Sequence, residues 1–195
     1  MVALNTIFAR ASAAGFSDVV LGIPHRGRLN VLVGLLDYPV RDMLYKIAGK
    51  NDMPEEIYTL VDDVVSHIAC SNKKLYRSKY SCPSLFMIPF KLAGSASDEK
   101  EIQVTMLHNP SHLEAQNAVS MGKTRAKQDD YQNPDKALNV QVHGDAAFAV
   151  QGIVYEGFSL AKVKGFTVNG TVHIICNNQI GYTTTPKDGR SSKYS

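Results

Sequence analysis

The sequence predicts an α/β fold in which helices cover both faces of a parallel β-sheet. Short β-branched runs alternate with longer segments whose apolar residues recur at helical spacing. A strand, a helix and a strand follow one another over 138–178, and this order requires parallel pairing with a right-handed crossover. The 195 residues, 44% of them hydrophobic, are enough for one domain with a substantial core.

The individual elements follow from local patterns of apolar and β-branched residues. A helix near the start carries apolar residues at helical spacing, and a second such run ends before Pro39. The stretch from about 50 to 100 has no long periodic pattern, which predicts an irregular excursion. In chain order, we expect a helix within 1–16, a strand at 18–23, helices within 24–38 and at 40–49, a strand at 101–107, a helix within 108–130, a strand at 138–142, a helix at about 147–161 and a strand at 170–178.

Composition and charge exclude several classes of protein. The net charge is +3, from 21 basic and 18 acidic residues, and no Lys/Arg run indicates a nucleic-acid-binding arm. No apolar run is long enough to predict a membrane-spanning helix. The cysteines Cys70, Cys82 and Cys176 are odd in number and lack CxxC spacing, so we expect neither a disulfide framework nor a zinc site. The string "MGKT" is not a P-loop, because Asn117 stands where that motif needs glycine.

Two polar residues lie at the ends of the strands of the predicted strand-helix-strand unit. Asp145 follows the first strand, and Asn178 ends the second. Parallel sheets bind ligands at the carboxyl ends of their strands, so these side chains should meet at one edge. A carboxylate and an amide oxygen suit Mg²⁺, while the small Gly144 and Ala146 allow a diphosphate to approach the backbone. A helix-capping Asp and a turn-forming Asn-Asn pair fit the same residues, so both interpretations stay open.

Histidines add to the candidate site. Four of them lie in or beside loops next to predicted strand ends or turns: His25, His67, His112 and His143. With Arg26 and Arg28 they could form a pocket for an anionic substrate, because imidazole and guanidinium groups donate hydrogen bonds to carboxylates. A lone histidine is more often a structural hydrogen-bonding residue than a catalyst, and that alternative remains for each of them.

Several longer strings resemble one enzyme family. "GIPHRGRLNVL", "NPSHLEA", "MGKTRAKQ", "HGDAAFAVQGIVYEGF" and "NNQIGYTT" through "GRSSKYS" are similar, over nearly the whole chain, to the E1 component of the 2-oxoglutarate dehydrogenase family. The string around His67 is more similar to the 2-oxoadipate dehydrogenase-like branch, since Ser66 stands where 2-oxoglutarate enzymes typically have tyrosine. The resemblance implies that 1–195 is a thiamine diphosphate-binding domain, incomplete at both ends.

The resemblance implies thiamine diphosphate and Mg²⁺ as cofactors. The family motif matches Gly144-Asp145-Ala146 and Asn177-Asn178, with alanine in place of the third glycine. It implies that Mg²⁺ is held by the side-chain oxygens of Asp145 and Asn178 and by the carbonyl of Ile180. The implied cofactor-binding residues are Arg26, Gly144, Asp145, Ala146, Asn178, Gln179 and Ile180. The implied catalytic residues are His25, His67, Ser111 and His143, the last beside the thiazolium.

The implied activity is the oxidative decarboxylation of a dicarboxylic 2-oxo acid, either 2-oxoadipate or 2-oxoglutarate. The acyl group then passes to a lipoyl group of the E2 partner. The implied assembly is a homodimer that works with E2 and E3, without nucleic acid or membrane as a partner. Eukaryotic members act in the mitochondrial matrix, and for a bacterial member we expect the cytoplasm.

The family's E1 chains are several times longer than this one. We therefore expect this chain to be part of an E1, with the glutamate that activates the cofactor outside it. Two alternatives stay open. One is a truncated, non-catalytic product that binds the cofactor or a partner chain, and the other is a small enzyme with an unrelated magnesium-diphosphate activity.

Overall fold

In the part of the chain that the structure describes, five strands form one mostly parallel sheet. The computed structural model describes residues 1–50, 67–77 and 99–190. Within these ranges the strands are β1 (Asp18–Gly22), β2 (Cys70–Arg77), β3 (Glu99–Met106), β4 (Ala137–Gly144) and β5 (Thr171–Cys176). Their order is β2-β3-β1-β4-β5, with β2 antiparallel to β3 and the other pairs parallel. The predicted α/β class with a parallel sheet is confirmed.

Helices connect the strands and cover both faces of the sheet. Those in the described part of the chain are α1 (Val2–Ala14), α2 (Arg28–Gly34), α3 (Val40–Ile47), α4 (Ala115–Asp130), α5 (Asp145–Val150), α6 (Gly152–Leu160) and α7 (Pro186–Gly189). A short 3₁₀ helix at Pro134–Lys136 leads into β4. Among these described helices, none is long and apolar enough to cross a membrane.

One face of the sheet carries the apolar core. Val19 and Leu21 of β1 are fully buried there, next to Val104 of β3 and Val140 of β4 in the register of the sheet. Helices α1, α2 and α3 supply the opposing side chains, including the fully buried Phe8. Burying one such side chain contributes about 1.5–3 kcal/mol, so this face accounts for most of the hydrophobic stabilisation.

The opposite face meets α4 through a layer of buried polar side chains. The buried residues of α4 are all polar: Gln116, Asn117, Ser120, Thr124 and Gln128. Gln141 of β4 donates to the Asn117 carbonyl (3.2 Å) and to the Ser120 hydroxyl (2.6 Å), and Gln116 donates to the Val142 carbonyl (2.8 Å). These bonds link α4 to β4, whereas Gln116 Oε1 and Gln141 Oε1 are buried without a hydrogen-bond partner among the described residues.

Two predicted elements need correction. Residues Cys70–Arg77, which we predicted to be part of an irregular excursion, form the edge strand β2 and pair with β3 along their whole length. The rest of that excursion, including Ser66, lies outside the described residues. The helix predicted at about 147–161 is two helices, because Gln151 adopts an extended conformation (φ −82°, ψ 117°) between α5 and α6.

A buried carboxylate fixes the amino end of the sheet to α4. Asp18 of β1 is 2% exposed and accepts hydrogen bonds from Lys127 (2.5 Å) and from the Tyr131 hydroxyl (2.6 Å). The hydrogen bond to Asp18, together with burial, raises the pKa of Tyr131 to about 12, so the hydroxyl remains a donor even in alkaline solution. The last turn of α4 is therefore attached to the first residue of β1.

We expect the substitution Asp18→Asn to destabilise the protein by about 3 kcal/mol, because it leaves Lys127 partly buried without its counter-charge. Urea unfolding monitored by circular dichroism measures this loss. The matched control is Asp129→Asn, which removes an exposed carboxylate paired with Arg125 on the same helix and should cost less than about 0.5 kcal/mol. Equal losses in the two variants would contradict the role given to Asp18.

Candidate functional site

The loops after β1, β3, β4 and β5 lie at one edge of the sheet, because these strands are parallel. Strand β2 runs in the opposite direction, with Cys70 paired to Met106, so the residues before β2 lie at this edge too. The edge collects nearly all of the predicted site residues: His25 and Arg26 after β1, His67 before β2, Ser111 after β3, Gly144, Asp145 and Ala146 at the end of β4, and Asn178, Gln179 and Ile180 after β5.

The predicted substrate-binding residues differ in exposure. His25, Arg26 and Ser111 are exposed, and His67 is partly buried. The ring Nδ1 of the exposed His108 lies 2.9 Å from the carbonyl oxygen of His67, which links the loop before β2 to the loop after β3. The exposed groups are therefore available to an incoming ligand at this edge.

Arg28 does not line an anionic pocket, and that part of the sequence interpretation is wrong. Its side chain is fully buried. Burial lowers the pKa of Arg28 to about 10, which leaves the guanidinium charged at neutral pH. The group donates to the carbonyls of Ile23 (2.9 Å), Ile68 (2.6 Å) and Leu107. Arg28 thus binds backbone, whereas Arg26 remains exposed at the edge.

Asp145 is the first residue of α5 and is 5% exposed. Its Oδ2 accepts a hydrogen bond from Nη2 of Arg190, while its Oδ1 is buried without a hydrogen-bond partner among the described residues. A buried carboxylate oxygen without a partner is costly, and a hard cation such as Mg²⁺ is a favourable partner for it. A methyl group added at Gly144 would meet no atom of the described residues within 4 Å beyond its chain neighbours, so the backbone there is open to a ligand.

The loop after β5 lies against the start of α5. Gly181 approaches Ala146, since a methyl group added at Gly181 would lie 4.0 Å from the Ala146 Cβ. Asn178 is exposed, and its amide oxygen accepts from the backbone N–H of Ile180 (3.0 Å) in a local turn. Within 1–50, 67–77 and 99–190, no group of three or more His, Cys, Asp or Glu residues is arranged to hold a metal. The predicted metal ligands include only one such residue, Asp145.

Behind this edge, a buried acid and two histidines form a hydrogen-bonded chain. His143 is fully buried, with its Nδ1 2.7 Å from Glu114 Oε2 and its Nε2 2.9 Å from His173 Nδ1. The backbone N–H of Glu114 donates to Gln151 Oε1 (3.0 Å), at the break between α5 and α6. Both ring nitrogens of His143 are therefore used inside the protein, two residues from Asp145.

His173 is the partly buried end of this chain. Burial, followed by the neighbouring His143, lowers the pKa of His173 to about 4, so its ring is neutral at physiological pH. Phe158 packs edge-on against the His173 ring at 5.1 Å, and Phe148 lies 4.8 Å from the His143 ring. The aromatic contacts and the hydrogen bonds together fix the orientation of both imidazoles.

Sequence reasoning missed three of these contacts. Glu114, at the start of α4, looks like an ordinary acid near a helix N-terminus, and Arg190 follows a turn-rich segment. His173 lies inside β5, where the alternation of the strand predicts only a face and not a partner. No local signal identifies their partners, because each partner lies in another element of the fold.

Comparison with known proteins identifies the family. A family model described as "Dehydrogenase E1 component" matches residues 91–195, which is more than half of the chain. The chain belongs to the dehydrogenase E1 component family. Its members are in general dependent on thiamine diphosphate, and the resemblance to the E1 family of 2-oxo acid dehydrogenases is confirmed.

Individual relatives in this family match most of the chain. A "Probable 2-oxoadipate dehydrogenase complex component E1 homolog" of Dictyostelium discoideum is 40% identical over 100% of this chain and 20% of its own length. The "2-oxoadipate dehydrogenase complex component E1" of Mus musculus is 42% identical over 93% of this chain and 19% of its length. A "2-oxoglutarate dehydrogenase-like, mitochondrial" protein of Pongo abelii is 38% identical over 98% of this chain. This E1 chain spans about a fifth of the length of these relatives.

We expect His173→Asn to weaken the dependence of stability on pH in acid. Because the folded-state pKa of His173 (about 4) lies below the ordinary value of 6.5, protonation favours the unfolded chain. The stabilisation from neutral His173 is complete above pH 6.5 and is lost as the pH falls through 6.5 towards 4. Urea unfolding measured between pH 6.5 and 4 should show that the free energy of unfolding falls less steeply with decreasing pH in the variant than in wild type. The control His112→Asn changes an exposed histidine and should keep the wild-type dependence of the free energy of unfolding on pH. If His173→Asn also keeps the wild-type dependence, His173 is not the group responsible.

Proposed function

We propose that the protein is the E1 component of a 2-oxo acid dehydrogenase complex. It decarboxylates a dicarboxylic 2-oxo acid and transfers the acyl group to a lipoyl group of E2. The observation that carries this proposal is the 42% identity, over 93% of this chain, to a relative named as a 2-oxoadipate dehydrogenase complex E1 component. Exposed imidazole, guanidinium and hydroxyl groups lie at the same edge of the sheet as a buried carboxylate, which supports the proposal.

In this proposal Mg²⁺ is held by the Asp145 carboxylate, the Asn178 amide oxygen and the Ile180 carbonyl. The unpartnered Oδ1 of Asp145 supports the fit, because Mg²⁺ prefers oxygen ligands and commonly takes one or two carboxylates together with substrate phosphates. The cofactor, thiamine diphosphate, contacts the residues around this ion. The proposed contacts are Arg26, Gly144, Asp145, Ala146, Asn178, Gln179 and Ile180.

Thiamine diphosphate, when bound, supplies the electron sink that decarboxylation of a 2-oxo acid requires. The residues of this chain bind and orient the acid. His25, His67 and Ser111 donate hydrogen bonds to its carboxylate oxygens, which stabilises the distal carboxylate and fixes the keto end in place. His143 acts through its neighbours in this proposal, since its ring is fully buried and bonded at both nitrogens.

The proposed substrate is 2-oxoadipate, with 2-oxoglutarate as the shorter competing acid. Relatives named for 2-oxoadipate show 40% and 42% identity, against 38% for one named for 2-oxoglutarate. We further propose that the protein is a homodimer that works with E2 and E3. The mitochondrial matrix is the proposed location, in keeping with the name of the relative from Pongo abelii.

Decarboxylation assays of the complete protein with each acid test this proposal. We expect turnover that requires both thiamine diphosphate and Mg²⁺, with a higher kcat/KM for 2-oxoadipate than for 2-oxoglutarate. Product formation should also be measured with lipoylated E2 as acceptor. A protein that decarboxylates neither acid with both cofactors present contradicts the proposed function, and equal kcat/KM values contradict the choice of substrate.

Substitution of Asp145 tests the metal assignment without an activity measurement. We expect Asp145→Ala to weaken binding of Mg²⁺-thiamine diphosphate by about a hundredfold, because an interaction worth about 3 kcal/mol corresponds to that ratio. Isothermal titration calorimetry with the complete protein measures the affinity. His25→Ala is the matched control, since it should keep the cofactor affinity and lower turnover. Unchanged cofactor binding in Asp145→Ala would show that the metal lies elsewhere.

A further inference from the structure

The carboxyl edge of the sheet depends on one buried side chain that the proposed mechanism does not use. Arg28 begins α2 and is fully buried beneath the loops that carry the proposed substrate-binding residues. Its Nη1 donates to the carbonyl of Ile23, the residue directly after β1. Its Nη2 and Nε donate to the carbonyl of Ile68 before β2, and Nη2 also donates to the carbonyl of Leu107 after β3.

Each of these carbonyls belongs to a loop that carries a proposed site residue. Ile23 is two residues before His25, Ile68 directly follows His67, and Leu107 begins the loop that contains Ser111. The backbone N–H of Arg28 also donates to the carbonyl of His25 itself (3.2 Å). A single guanidinium therefore connects the three loops from which a bound acid would receive its hydrogen bonds.

The planar guanidinium suits this task better than any other side chain. It presents five N–H donors in a rigid fork, so it can satisfy carbonyls that lie in different directions and hold them at fixed distances. A lysine ammonium donates from one point on a flexible stem and cannot reproduce that spacing. Small changes in the spacing of binding groups have large effects on the reaction of a bound substrate, because misplacing the substrate by about 1 Å can lower the reaction rate about a hundredfold.

We propose that Arg28 is a positioning residue that sets the spacing of the loops carrying His25, His67 and Ser111, and thereby the length of the dicarboxylic acid that the site accepts. This inference rests on the proposed function. The two acids, 2-oxoadipate and 2-oxoglutarate, differ by one methylene group, so a change in loop spacing alters the fit of one acid more than that of the other.

The test measures kcat/KM for both acids in the complete, cofactor-loaded protein, with wild type, Arg28→Lys and Asp18→Asn. Asp18 lies at the amino end of β1, away from the site, and its substitution is expected to destabilise the fold. General destabilisation lowers the number of active molecules and leaves the ratio of the two kcat/KM values unchanged. Arg28→Lys is expected to change that ratio by about tenfold, mainly through KM.

Several outcomes overturn the proposal. If Arg28→Lys lowers both kcat/KM values by the same factor, as Asp18→Asn does, Arg28 only stabilises the fold. If wild type accepts only one of the two acids, the KM of Arg28→Lys for that acid is compared with the KM of wild type instead of the ratio. An unchanged KM then contradicts the proposal. If wild type decarboxylates neither acid, the proposed function fails first, and the inference that rests on it fails as well.

A second variant covers the case in which Arg28→Lys does not fold. His108 is exposed, and its ring links two of these loops, the one before β2 and the one after β3, through the His67 carbonyl. His108→Ala removes that link without emptying the core, and it is expected to shift the same ratio by about threefold. An unchanged ratio in a folded His108→Ala protein contradicts the expected shift, and with it the dependence of selectivity on the link between the loop before β2 and the loop after β3.

Discussion

Parallel pairing of β1 with both β3 and β4 is the constraint on which the candidate site depends. Strands that run in the same direction must end at the same edge, so loops far apart in the chain deliver their side chains to one place. Antiparallel β2 belongs to this arrangement because its first residue pairs with the last residue of β3. Without that reversal, His67 would lie at the opposite end of the sheet from His25 and Asp145.

The two faces of the sheet hold this edge in different ways. The face toward α1, α2 and α3 is apolar, and the hydrophobic effect that stabilises it has no preferred direction. The face toward α4 is polar, and its hydrogen bonds require one alignment of helix and strand. Since Glu114 lies at the start of α4, this alignment also places its carboxylate next to His143.

Buried charges mark the positions where the fold is most tightly specified. Arg28, Glu114 and Asp145 are each at least nine-tenths buried, and each is bonded to a group from a different segment of the chain. A buried charge is tolerated only with such partners, because its desolvation is costly. These three lie at or just behind the carboxyl edge and support the site, whereas the buried Asp18 fixes the opposite, amino end of the sheet.

The sequence by itself determined the fold class, most of the helices and strands, the family resemblance and the set of residues at the carboxyl edge. These features are readable because periodicity and motif spacing are local properties of the chain. Strand β2 was missed because an edge strand without clear alternation is defined by its pairing with β3. Only the tertiary structure decided that Arg28 is a buried link between loops, and that Glu114, His143 and His173 form one chain of hydrogen bonds. The bond from Arg28 to Leu107 spans 79 residues and that from His143 to Glu114 spans 29, and contacts over such distances arise only when the strands have paired.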